Sequence, residues 1–154
     1  MLDHPLSYGF GATVALPFPD ALERTREALI AEGFGIMSEI DVRATLSQRL
    51  GVEIPPYVIL GACNPPLAHR ALMAEPDVGL LLPCNVVVYQ APDPARCVVA
   101  ALSPQAALAL THNAALPLVA AQVEGRLRRA LERVADSRPA PVTTPADDAE
   151  DEIC

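Results

Sequence analysis

Apolar residues in this chain switch repeatedly between a period of two and a period near 3.6, and that alternation leaves few architectures open. Residues 8–16 put Tyr8, Phe10, Ala12, Val14 and Leu16 on one face and Gly9, Gly11, Thr13 and Ala15 on the other. This predicts a strand with one bulky face and one thin face, the thin face letting a helix or a second chain approach closely. Pro17-Phe18-Pro19-Asp20 then opens a helix, because proline is tolerated in a first turn and an acid is favoured there. Ala21, Leu22, Thr25, Ala28 and Leu29 make its apolar stripe, and Gly33 is a natural stop.

The same logic continues. Residues 34–40 read as a strand, with Phe34, Ile36 and Ile40 on one face and Met37 and Glu39 on the other. Asp41 caps a short helix that Gly51 ends. Residues 57–62 form a short buried strand, after which Asn64 caps a helix begun by Pro65 and stopped at Pro76. Residues 84–91 and 96–102 pair as a hairpin across Pro92-Asp93-Pro94-Ala95. Leu116, Val119, Ala120, Val123, Leu127, Leu131 and Val134 form one seam along a final helix over 116–135. The order β-α-β-α-β-α-β-β-α predicts an α+β domain, a mixed sheet with helices packed mainly on one face, and a C-terminal hairpin followed by a long helix. Exposed sheet edges invite a second copy, so a C2 homodimer is expected.

Charge divides the chain. Of the net charge of −8, residues 1–138 carry −3 and residues 139–154 carry −5. Residues 1–137 are expected to form one domain, with 51% hydrophobic residues in the whole chain to build its core. Residues 138–154 are rich in proline, alanine, threonine and acids, and are expected to be a disordered acidic tail. There is no lysine, and the one basic cluster, Arg126, Arg128, Arg129 and Arg133, reads as the solvated face of the last helix. Nucleic acid is therefore not expected as a partner. No apolar run reaches the ~18–20 residues of a membrane span. Met1-Leu2-Asp3-His4-Pro5 shows no basic stretch leading into an apolar one, so a cytoplasmic location is expected.

In that compartment the four cysteines (Cys63, Cys84, Cys97, Cys154) are expected to be reduced. No CxxC, HExxH, Walker, GxGxxG or Ser-His-Asp pattern is present. Cys63 falls where a strand ends and a helix begins, a position that lowers a thiol pKa. Cys84 falls at the start of another strand. Antiparallel pairing of the two strands would bring both sulfurs to one sheet edge, while Cys97 lies far along the hairpin as core filler. Two thiolates suit a two-coordinate soft ion such as Cu(I), whereas zinc would need two further ligands. The everyday alternative is that both are small buried hydrophobes. His69 is expected to be an exposed helix residue, and His112 to precede a helix capped by Asn113. Asn64 and Asn85 each follow a cysteine; they serve as local caps or line a shared polar pocket. Glu39 either pairs with an arginine such as Arg43 or Arg70, or acts as an acid/base group beside the thiols.

The segments Glu39-Ile40-Asp41-Val42, Ile59-Leu60-Gly61-Ala62-Cys63-Asn64-Pro65 and Leu82-Pro83-Cys84-Asn85-Val86-Val87-Val88 together resemble the three blocks of the family called domain of unknown function 302, over roughly residues 9–135. The resemblance implies a compact α+β domain, usually a homodimer, with no established activity. The expected role is thus binding or sensing of a soft metal, a haem or another small ligand around Cys63, Asn64, Cys84, Asn85 and Glu39, with metal on Cys63 and Cys84, rather than enzymatic turnover. The alternatives are thiol redox chemistry with Cys63 as nucleophile, and a structural dimerisation module whose tail recruits a partner.

Overall fold

The computed structural model describes residues 1–139; the tail expected over 138–154, including Cys154, lies almost entirely outside them. Six strands, β1 (His4–Leu6), β2 (Gly9–Val14), β3 (Gly35–Asp41), β4 (Tyr57–Cys63), β5 (Cys84–Gln90) and β6 (Cys97–Leu102), form one sheet in the order β1-β2-β6-β5-β4-β3. Every pairing is antiparallel, so the α+β class holds while the sheet is not mixed. The helices are α1 (Phe18–Ala31), α2 (Val42–Leu50), α3 (Pro65–Ala74), α4 (Pro104–Leu108) and α5 (Pro117–Ala135).

Local chemistry sets the boundaries. The Asp41 carboxylate accepts from the Ala44 N–H at 2.9 Å to start α2, and Gly51, at φ +67°, ends it in the left-handed region that glycine adopts without strain. The Asn64 side chain accepts from the Leu67 N–H to start α3. Asn113, expected to cap the last helix, instead accepts from Ala115 N–H and donates to the Ala74 carbonyl and the Glu75 carboxylate, tying two loops together.

Helices α1 and α5 pack against each other and against the sheet face made by Phe10, Ala12, Val14, Leu60, Val86, Val88 and Val99. Leu127 and Leu131 of the predicted α5 seam are 0% and 1% exposed. The thin face of β2 has a different cause from the one expected. A Cβ on Gly9 or Gly11 would stand 2.4 or 2.5 Å from the Ala101 or Val99 carbonyl oxygen, so the neighbouring strand's own backbone is what requires glycine.

In β3 the register shifts between Ile36 and Ser38. One extra residue reverses which face each later side chain takes. Ile36 and Ile40, expected to share a face, are therefore parted, and Glu39 comes level with buried Leu60 on the helix side.

The opposite face carries Thr13, Val98, Ala100, Leu102, Asn85, Val87, Tyr89, Tyr57 and Ile59 in register, with no charged residue among them. Tyr57 and Tyr89 stack there with ring centroids 5.2 Å apart. No helix of the described residues is long and apolar enough to cross a membrane.

Candidate functional site

Cys63 is the last residue of β4 and Cys84 the first of β5. Antiparallel pairing puts Ala62 opposite Cys84, so Cys63, the next residue of β4, lies beside Cys84 at one end of the sheet, offset by one register step. Both line a small, partly open apolar cavity of about 30 Å³, roofed by Leu67 and Ala71 of α3, Leu108 of α4 and Val123 of α5. Cys63 is half-buried and Cys84 is buried. All three cysteines of the described residues are free thiols.

Their electrostatics run against the expectation of an activated thiol. Burial pushes the Cys63 thiol above its usual value. Burial, and then the proximity of Cys63, push Cys84 up to about 11. The helix start after Cys63 does not offset this, for a reason visible in its first turn. Pro65 and Pro66 have no N–H, the Leu67 N–H is taken by the Asn64 side chain, and the Ala68 N–H by the Asn64 carbonyl. No donor of that turn is left to stabilise a thiolate, so loss of water dominates.

The other predicted site residues do not converge on the cavity as a group. Asn64 lines it but is committed to capping α3 and to the Gly33 carbonyl, to which its amide donates at 3.3 Å. Asn85 points to the open face of the sheet and is exposed, so no pocket is formed by the two amides together. Its place follows from the strand's period of two, which turns it away from Cys84. Glu39 pairs with Arg26 of α1, rather than with Arg43 or Arg70, and lies two register steps from the Ala62–Cys84 end. Cys97 is fully buried opposite Gln90, at the far end of the hairpin, with its thiol also raised to about 11 by burial. His69 is exposed on α3, and His112 adopts a left-handed φ of 53° beyond the cavity. Among the described residues no three His, Cys, Asp or Glu side chains come together as a metal cluster, so the two sulfurs are the whole candidate ligand set here.

Size bears on the choice of ligand. Pockets for drug-sized molecules occupy roughly 300–1,000 Å³, ten or more times this cavity. A cavity of this volume is on the scale of a single ion.

The basic cluster of α5 does more than face water. The Arg128 guanidinium sits 4.2 Å from the centre of the Phe10 ring and pairs with Glu124. Arg129 and Arg133 both hold the carboxylate of Glu32, a buried acid at the end of α1 that the sequence reading passed over. The available signal was the spacing of Arg126, Arg129 and Arg133 on one helix face, matched by an acid directly before the Gly33 stop.

Comparison with known proteins gives a family without an assigned activity. The model of the family described as "Domain of unknown function DUF302" matches residues 10–134. The crystal structure of an uncharacterized conserved DUF302 protein from Bacillus stearothermophilus is 32% identical. The match covers 84% of this chain and 99% of that one, with a TM-score of 0.77. No curated protein matches. With the family's model spanning both cysteine blocks and the fold shared with a solved member, the chain belongs to the DUF302 family.

Proposed function

We propose that this protein is a homodimeric binding domain whose Cys63 and Cys84 thiols together take up a soft monovalent metal ion, Cu(I) being the type case. The observation that carries the reading is the shared cavity: two thiols on adjacent strand ends, in apolar surroundings, with room for an ion and little else. Two thiolates satisfy the low coordination number of such an ion. Each thiol releases one proton on binding, and the metal's charge replaces the stabilisation that burial withholds from a free thiolate. A cytoplasmic setting, where thiols stay reduced, suits this chemistry. Redox chemistry led by Cys63 is the weaker reading, because its thiol is raised rather than lowered.

The uncharged sheet face supports the dimer. The protein's net charge is −8, so two copies repel wherever acidic surfaces meet, yet among the described residues the strands place no Asp, Glu or Arg on this face, whose one histidine is His4 of β1. Six strands spaced ~4.8 Å apart and about six residues long give a footprint of roughly 20 by 24 Å. Side-chain relief brings that toward the ~800 Å² per partner of a standard interface.

Competitive Cu(I) titration of the wild type, Cys63→Ser, Cys84→Ser and the double variant tests the metal site. One ion per chain in the wild type, lost in each variant, is expected; undiminished binding by the double variant ends the reading. Light scattering on a sizing column tests the dimer, with a monomer at micromolar concentration counting against it.

A further inference from the structure

We propose that the cleft between α3 and α5 is a binding site for a small oxyanion, a phosphate or carboxylate group, held by Arg70 and Arg126. The cleft is open, with a volume of about 720 Å³, and Arg70, Arg126 and Arg129 all line it. No acidic side chain does. The Glu32 carboxylate beneath it is already shared by Arg129 and Arg133. Arg126, half-buried, donates from Nη1 only to the Glu32 main-chain carbonyl at 3.2 Å, and Arg70 only to the Gln122 side-chain oxygen at 3.4 Å. Among the described residues neither guanidinium has a carboxylate within 4 Å. A partly desolvated guanidinium with no counter-charge is a costly arrangement, and an anion in the cleft relieves it.

A second feature points to the same spot. Gly33 leaves a space whose centre, where a Cβ would stand, is 3.3 Å from the Asn64 amide nitrogen and 3.5 Å from Arg126 Nη1. Gly33 itself is required by its left-handed φ of +87°, and the donors beside it are already engaged, Asn64 with the Gly33 carbonyl and Arg126 with the Glu32 carbonyl, so each offers a ligand only its remaining N–H groups. Gly125 likewise leaves the helix surface bare beside the Arg129 guanidinium, 3.6 Å from its own absent Cβ. The planar fork of arginine matches two oxygens of a phosphate or carboxylate at once. Cys63 and Cys84 do not line this cleft, so the site stands or falls independently of the metal reading.

The test titrates the full chain with inorganic phosphate and, separately, with malonate, each against sodium chloride of equal ionic strength, reading the thermal midpoint and calorimetric heat. Saturable stabilisation by one anion or both is expected, and the comparison identifies the preferred group. Arg70→Gln removes one charge-assisted contact and is expected to weaken binding about tenfold or more. Arg96→Gln, the same charge change at the distant hairpin turn, is expected to bind as the wild type does. Arg70 is exposed, so its loss leaves folding intact, and an unchanged thermal midpoint without anion verifies this. Absence of saturation by either anion, or equal binding by Arg70→Gln and wild type, overturns the proposal.

Discussion

Glu32 offers a sharp test of how this fold is held together, because its two arginine partners sit in a different environment from its own. The Glu32 side chain is 8% exposed, whereas those of Arg129 and Arg133 are 59% and 58% exposed. Arg129 Nε donates to one carboxylate oxygen at 3.1 Å and Arg133 Nε to the other at 3.2 Å. Removing the acid (Glu32→Ala) lets both guanidiniums return to water, so only two charge-assisted bonds are lost. Discounted for the arginines' exposure, that is about 1–3 kcal/mol. Removing both arginines instead leaves the carboxylate buried with no partner, a situation that costs about 3–5 kcal/mol. The double variant Arg129→Ala/Arg133→Ala is thus expected to be the less stable, although it deletes exposed residues. Adding Glu32→Ala to it should recover part of the loss. Chemical denaturation followed by far-ultraviolet circular dichroism gives each stability, with unchanged slopes showing that the unfolded state is comparable. If Glu32→Ala proves as damaging as the double arginine variant, or the triple variant recovers nothing, the unequal burial of the partners is not what governs this cluster.

Other consequences are open to direct measurement. Leu127→Ala, at a 0% exposed position in the α5 seam, should cost about 2–5 kcal/mol in denaturant titration, through lost burial plus the cavity left behind. Gly11→Ala forces a methyl to within 2.5 Å of the Val99 carbonyl oxygen and should lower the thermal midpoint, an unaltered midpoint showing that β2 can move away from β6. The Cys84 thiol, raised by burial from 9.0 to about 11, favours its protonated form in the folded state, so its contribution is complete below pH 9 and lost as pH rises to 11. An alkaline loss of about 2–3 kcal/mol is expected over that interval, and Cys84→Ala should lack this part of it. Val87→Asp on the open sheet face should give a monomer of native circular dichroism; a dimer that persists would place the interface elsewhere.

Much of the architecture was legible because its signals are local. Asp41 and Gly51 bracket α2, Asn64 and Pro65 open α3, and the seam from Leu116 to Val134 marks α5; each needs only a few neighbouring residues to act. That Cys63 and Cys84 share one end of the sheet was legible on one condition, antiparallel pairing of two apolar runs, and β4 and β5 satisfy it. The chemistry of that meeting was not. A thiol before a helix reads as activated until the first-turn donors are seen to be absent from two prolines and claimed by Asn64. Glu39 was misplaced because a one-residue bulge leaves no mark on hydrophobic alternation yet inverts every later side chain of β3. The Glu32 cluster and the arginine cleft join residues nearly a hundred positions apart, which short-range periodicity does not register.

From the amino-acid order alone came the succession of strands and helices from β2 onward, the apolar side of those elements apart from bulged β3, and the division between a nearly balanced body and an acidic end; the short edge strand β1 went unread. Those depend on backbone preferences and on the spacing of apolar residues within single elements. Folding alone decided which strands became neighbours, which face of the sheet stayed bare, how deeply each thiol lost its water, and which arginines were left without a counter-charge. These are properties of distances between remote parts of the chain, and packing, rather than local propensity, sets such distances.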